Sequence, residues 1–95
     1  MDLDQFKTFV TLSPPKHIHR KLMLYPNKAL ANSALNDTIV DLNKKHFYVN
    51  INMSDMKITY PQHEIWFLSI DKILLLKGID FTDVYVHPTI KEVCI

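Results

Sequence analysis

The sequence predicts a single small α/β domain over residues 1–95, with a mixed sheet of about five to six strands, one long helix and one short helix. Three observations predict this class. Apolar residues recur at helical spacing over residues 28–45. Stretches of alternating or continuous apolar residues lie on both sides of that segment. A chain of 95 residues leaves room for one hydrophobic core and not for a second.

The first elements are two strands joined by a basic loop. Alternating side chains predict a strand over residues 5–12, and Pro14 and Pro15 end it because proline cannot donate to a ladder. Residues 16–21 are then expected to form the loop. The apolar run 22–25 predicts a buried strand.

The long helix is predicted over residues 28–45, with Asn27 as its cap. We expect the strand before this helix and the strand after it to be parallel and joined by a right-handed crossover. The residues expected on the apolar face of the helix are Leu30, Ala31, Ala34, Leu35, Ile39 and Leu42.

The second half of the chain predicts mainly strands. They cover residues 47–53, 57–60, 64–70 and 81–87. The strand within 64–70 is apolar on both faces, so we expect it at the centre of the sheet. A short helix is predicted over residues 72–77 and is expected to end at Gly78. Residues 91–95 are expected to form an open edge strand suited to pairing with another chain.

Composition excludes several kinds of chemistry. Gly78 is the only glycine, whereas average usage is about 7 %, so no glycine-rich phosphate loop can form. Cys94 is the only cysteine, which excludes an intramolecular disulfide and a cysteine-based zinc site and fits a reducing compartment. No apolar run is long enough for a membrane span, and no apolar signal segment follows the acidic start. We therefore expect a cytoplasmic location and no membrane partner.

Positive charge is concentrated in the first third of the chain, where no acidic residue lies between Gln5 and Asn36. The densest part of this segment contains Lys16, His17, His19, Arg20 and Lys21. Such a loop could bind the phosphates of a nucleic acid or an acidic partner, and the same pattern is typical of a solvated basic surface. Two histidines alone do not complete a zinc site, so we predict no metal there.

Acidic residues in the second half could support catalysis. Asp80 and Asp83, with Glu64, Asp71 and Lys72, are the types of residue found in a metal-dependent nuclease. Their spacing matches no nuclease signature, and capping of helices and solvation of strand ends explain them as well. We predict no catalytic residue and no cofactor.

Aromatic residues suggest an interaction surface. If helices cover only one face of the sheet, Tyr48, Tyr60 and Trp66 would lie on the open face. An exposed aromatic face is typical of a partner or self-association surface, so a homodimer through this face or through strand 91–95 is one option.

Residues 57–89 resemble part of the ATPase core of viral terminase large subunits and related helicases. In that family a hairpin leads to a strand, a short helix ending in a basic residue and glycine, and a further strand. The corresponding positions here are 65–69, 77–78 and 81–86, and residues 22–35 are similar to the strand, proline and helix that follow the family's phosphate loop.

The departures from the family remove its catalytic parts. The chain has no glycine-rich phosphate loop, and the Asp-Glu pair that holds Mg²⁺ in the family would fall at His87 and Pro88. The resemblance therefore implies a relative that does not hydrolyse nucleotides.

The sequence predicts a small non-enzymatic binding protein with a macromolecular partner, foremost a protein. The resemblance implies a phage or viral accessory protein that regulates or inhibits a host protein in the host cytoplasm. The alternative is a nucleic-acid-binding module that uses residues 16–21, and a metal-dependent nuclease is less favoured.

Overall fold

A five-stranded mixed sheet with helices on both faces forms the fold, which is a single small α/β domain. The computed structural model describes residues 2–10, 18–45, 48–76, 79 and 81–91. Its elements in chain order are α1 (Leu3–Val10), β1 (His19–Tyr25), α2 (Lys28–Lys44), β2 (Asn50–Asn52), β3 (Lys57–Tyr60), β4 (His63–Ser69), a 3-10 helix (Ile70–Leu76) and β5 (Asp83–Val86).

The strand order is β2-β3-β4-β1-β5, so β4 occupies the predicted central position. Strand β1 is parallel to both of its neighbours, β4 and β5. Strands β2, β3 and β4 form antiparallel pairs. The strands before and after helix α2 therefore run in the same direction, as predicted, but β4 and β3 lie between them.

The chain length predicted one hydrophobic core, but the buried residues form two, one on each face of the sheet. They separate because successive side chains of a strand point to opposite faces: on β1, Leu22 and Leu24 point to one face, and Met23 and Tyr25 to the other. The core beside α2 has the buried residues Tyr25, Ala31, Leu35, Leu42, Ile58 and Phe67. The core beside α1 and the 3-10 helix has the buried residues Phe6, Leu22, Leu24, Leu68, Ile73, Phe81, Val84 and Ile90.

Helix α2 follows its prediction to within one residue. The Asn27 side chain accepts a hydrogen bond from the backbone N–H of Leu30 at 2.9 Å, which satisfies one of the free donors of the first turn. The predicted apolar face is buried at Ala31, Leu35 and Leu42. No helix among the described residues is long and apolar enough to cross a membrane.

The strand predicted over residues 5–12 is wrong, because residues 3–10 form helix α1. A capping box begins this helix: Asp2 Oδ1 accepts from the Gln5 N–H at 2.8 Å, and Gln5 Oε1 accepts from the Asp2 N–H at 3.4 Å. Phe6 is fully buried in the core beside α1. Residues 11–12 lie outside the described residues.

In the second half of the chain, β3 and β4 form a hairpin, and several other elements are shorter than predicted. Strand β2 covers Asn50–Asn52 of the predicted 47–53, and β5 covers Asp83–Val86 of the predicted 81–87. The short helix is a 3-10 helix that begins at Ile70, two residues earlier than predicted. Lys91 is described and is not in a strand, and residues 92–95 of the predicted edge strand lie outside the described residues.

Candidate functional site

The predicted basic loop is a strand from His19 onward. His19, Arg20 and Lys21 open β1 and pair with β4, and Lys21 also pairs with β5. Lys16 and His17 lie outside the described residues. Arg20 and Lys21 are therefore held in the sheet, where the neighbouring strands decide what each side chain contacts.

Arg20 forms an ion pair on the α1 side of the sheet. Its Nε lies 3.1 Å from Glu64 Oε1, and the two side chains are only 24 % and 11 % exposed. The same carboxylate oxygen accepts a hydrogen bond from the indole N–H of Trp66. The Lys57 ammonium lies 5.1 Å from the centre of the Trp66 ring, within the range of a cation–π contact. Arg20 and Glu64 thus belong to a largely buried network.

Lys21 also has an acidic neighbour. Its Nζ lies 3.8 Å from an Asp83 carboxylate oxygen, and the two side chains are 44 % and 68 % exposed. Phosphate binding was predicted from five basic residues, of which the structure describes three. Two of these, Arg20 and Lys21, each form an ion pair, and the third is His19.

The acidic residues considered for nuclease chemistry are dispersed. Glu64 and Asp83 lie near the amino ends of β4 and β5, whereas Asp71 follows the carboxyl end of β4, and Asp80 lies outside the described residues. A hydrogen bond from the Ser69 side chain is the main reason why the pKa of Asp71 is lowered from its usual value. In the described part of the chain, no three His, Cys, Asp or Glu side chains are placed to share a metal ion.

Three rings stack across the amino end of β4. The His63 ring lies 5.2 Å from that of His19 and 4.7 Å from that of Tyr60, with near-parallel planes. These residues are direct neighbours in the registers of β1, β4 and β3. Sequence reasoning missed this stack because His19 and His63 are brought together only by a parallel pairing between distant segments.

A groove of about 420 Å³ lies beside the stack, at the same end of the sheet, and is called here the edge groove. Tyr48 and Tyr60, both predicted as partner residues, line it, and Tyr48 is 93 % exposed. The remaining lining residues are Asn50, Thr59, Pro61 and Gln62.

Trp66, the third predicted partner residue, lies elsewhere. Its half-buried ring packs into the core beside α1 and contacts Phe81 edge-to-face, with ring centres 5.7 Å apart. Tyr60 packs against the core beside α2, so Tyr60 and Trp66 are on opposite faces of the sheet. The three predicted aromatic residues do not share one open face of the sheet, because helices cover both faces.

Strand β2 forms the edge of the sheet next to this groove. Its three residues are exposed, and among the described residues it pairs only with β3. Ile51 is 43 % and Met53 is 52 % exposed. The reason is that helix α2 packs on β4, β1 and β3, so it does not extend over β2.

Comparisons with protein-family models, curated proteins and solved structures found no match. The resemblance to terminase ATPase cores therefore stays a prediction. The geometry itself offers an exposed, partly apolar edge strand, with a groove lined by two tyrosines at its end.

Proposed function

We propose that this protein is a non-enzymatic binding protein that holds an extended segment of a partner protein along β2. The observation that supports it best is the exposed Tyr48 beside the edge groove, at the end of an edge strand. In this proposal the backbone of the segment pairs with β2 and one of its side chains enters the groove.

Edge strands bind peptides because half of their backbone groups point away from the sheet. In an antiparallel pair, alternate residues direct their N–H and C=O groups toward and away from the neighbouring strand. An added strand satisfies the outward groups, and pockets beside the edge select its side chains. A tyrosine at such a position supplies a large, rigid contact area at low entropic cost.

Charge favours a protein over a nucleic acid as the partner. The chain has a formal net charge of only +1 at pH 7. Arg20 and Lys21, two of the basic residues within 16–21 on which the nucleic-acid alternative rests, each form an ion pair with an acidic residue. Ile51 and Met53 add exposed apolar surface, which suits a protein segment better than a phosphate backbone.

The proposed setting follows from the resemblance described above. A chain similar to a viral motor domain without its catalytic parts fits a phage or viral accessory protein. Its proposed role is to regulate or inhibit a host protein in the host cytoplasm.

Site-specific photo-crosslinking in cells that produce this protein tests the proposed function. Tyr48→p-benzoylphenylalanine is expected to give one discrete adduct with another protein. The matched control is Val40→p-benzoylphenylalanine, because Val40 is 53 % exposed but lies on helix α2. This control is expected to give no such adduct.

A second pair of substitutions shows whether β2 is the docking strand. Ile51→Lys places a charge on the edge, as natural edge strands do to prevent pairing, and is expected to abolish the Tyr48 adduct. Val40→Lys is expected to leave it unchanged. An adduct with nucleic acid, an adduct between two copies of this chain, or equal adducts from positions 48 and 40 would contradict the proposal.

A further inference from the structure

A larger cavity lies at the opposite end of the sheet, beside the carboxyl end of β4, and is called here the carboxyl-end cavity. Its volume is about 540 Å³, within the range of about 300–1,000 Å³ typical of small-molecule sites. Phe67, Met56 and Ile79 contribute apolar wall, and Lys28 and Lys72 contribute the cations.

The cavity exists because β4 is longer than its neighbour. Strand β3 begins at Lys57, opposite Trp66, so the last three residues of β4 extend past it. The Phe67 N–H still donates to the Met56 carbonyl at 2.9 Å. The turn from β2 then leaves the sheet, and a gap opens between this turn, the end of β4 and the start of helix α2.

The turn that forms this side of the cavity is held in place by its own hydrogen bonds. Asn52 Oδ1 accepts from the Asp55 N–H at 3.0 Å, and the Asn52 amide donates to an Asp55 carboxylate oxygen at 2.9 Å. Among the described residues, Asp55 is the one acidic residue that lines the cavity, and its carboxylate is partly engaged within the turn. The wall is therefore pre-formed.

The two lysines approach the cavity from different elements. Lys28 is the first residue of α2, and Lys72 lies on the 3-10 helix. Neither ammonium forms an ion pair with a carboxylate in the described part of the chain. After the hydrogen bond from Ser69, the charge of Lys72 is a further reason why the pKa of the exposed Asp71 carboxyl is lowered. The positive end of the α2 dipole lies at the same place as Lys28 and adds to their potential.

We propose that the carboxyl-end cavity binds a small organic anion that has an apolar body and a phosphate or carboxylate group. The apolar body packs on Phe67 and Met56, and the anionic group contacts Lys28 and Lys72. Charge complementarity selects this ligand class, because among the described lining residues two lysines that form no ion pair face a single carboxylate, that of Asp55. The cavity lies at the opposite end of the sheet from the edge groove and shares no lining residue with it.

The fluorescence of Trp66 can report binding, because Trp66 lines this cavity and is the only tryptophan in the chain. The probes are phenyl phosphate and benzoate as anions, and phenol as the neutral analogue. We expect a saturable change with at least one anion and at least tenfold weaker binding of phenol. Comparison of phenyl phosphate with benzoate shows which anionic group the cavity prefers.

Substitutions then assign the charge contacts. Lys28→Met and Lys72→Met keep an apolar stem, and each is expected to raise the dissociation constant of the preferred anion by about tenfold, as for a charged hydrogen bond. Lys44→Met is the control, because Lys44 lies at the far end of the same helix and its loss changes the net charge equally. It is expected to change the dissociation constant less than about twofold.

Three results would overturn this proposal: no saturable change with either anion, equal binding of phenol, or equal weakening by Lys44→Met. Lys28 and Lys72 are exposed, so the urea midpoint of each variant is expected to match that of the unsubstituted protein. Ile51→Lys is expected to leave anion binding intact, which separates a failure of this site from a failure of the proposed function.

Discussion

The two ends of the parallel strands use their positive charges in different ways. At the amino end, Arg20 is paired with Glu64 and Lys21 with Asp83. At the carboxyl end, Lys28 and Lys72 face a cavity, and no described carboxylate forms an ion pair with them. A cluster of basic residues in the sequence is therefore not the same as a basic site on the surface.

Strand register explains the difference. Arg20 is the register partner of Glu64, and Lys21 is that of Asp83. Each acid comes from the second half of the chain, which carries most of the negative charge. Parallel pairing thus neutralises a charge separation that is conspicuous in the sequence. Lys28 and Lys72 follow β1 and β4 and have no such register partner.

The largest expected effect comes from breaking the buried pair at the amino end. Arg20→Met leaves the Glu64 carboxylate largely buried without its cation, which is expected to lower the free energy of unfolding by about 3 kcal/mol. Urea unfolding, followed by circular dichroism at neutral pH, measures it. The neighbouring Lys21→Met removes an equal charge from an exposed pair and is expected to cost less than about 1 kcal/mol.

Equal losses in the free energy of unfolding from Arg20→Met and Lys21→Met would contradict the expectation that the largely buried pair stabilises the fold more than the exposed one. The two positions would then act through net charge or β-propensity, which both substitutions change in the same way. A loss for Lys21→Met alone would show that the β1–β5 pair stabilises the sheet more than the β1–β4 pair.

A smaller, stabilising effect is expected at the turn between β3 and β4. Gln62 has φ of 65°, in the left-handed region that residues with a Cβ enter at a cost of about 1–2 kcal/mol. Gln62→Gly removes that cost but loses more chain entropy on folding, so a net gain of up to about 1 kcal/mol is expected in urea unfolding. Gln62→Ala keeps a Cβ and is expected to give no gain, and a gain from Ala would point to a side-chain effect instead.

The sequence predicted best where local chemistry decides the structure. Helix α2 has its cap at Asn27 and its apolar spacing within one segment, so its bounds were predictable. Helix α1 was not predicted because the alternation of Phe6, Thr8 and Val10 is typical of a strand. The capping box that begins at Asp2 indicates a helix instead. That signal was local and could have been found.

Other features depend on contacts that no local pattern encodes. Met56 and Gln62 adopt positive φ because tight turns on either side of β3 require it, although neither residue is a glycine. The aromatic pattern grouped Tyr48, Tyr60 and Trp66 on one face, whereas Tyr60 packs against the core beside α2 and Trp66 against the core beside α1. The carboxyl-end cavity combines residues from distant segments, so it could be found only in the fold.

At the carboxyl end of β1, the stability of the fold depends on an ionisable side chain that stays neutral, that of Tyr25. Tyr25 is buried, and burial is the main reason why its pKa is raised above the usual 10.0, with smaller contributions from Tyr85 and Asp37. A raised pKa in the folded state means that the unfolded chain releases this proton first. The resulting contribution to stability is complete below about pH 10 and is lost as the pH rises through the folded-state pKa.

Tyr25→Phe is therefore expected to make the free energy of unfolding fall less steeply between neutral pH and pH values above 10. Urea unfolding across this range measures it, and Tyr48→Phe is the control because the Tyr48 side chain is exposed in the folded protein. Since arginine stays protonated throughout, the Arg20–Glu64 pair keeps its charges, and Arg20→Met is expected to lower stability by the same amount at both ends of the range. An alkaline fall that Tyr25→Phe leaves unchanged would mean that deprotonation elsewhere destabilises the sheet, and the two ends would then not differ in their response to pH.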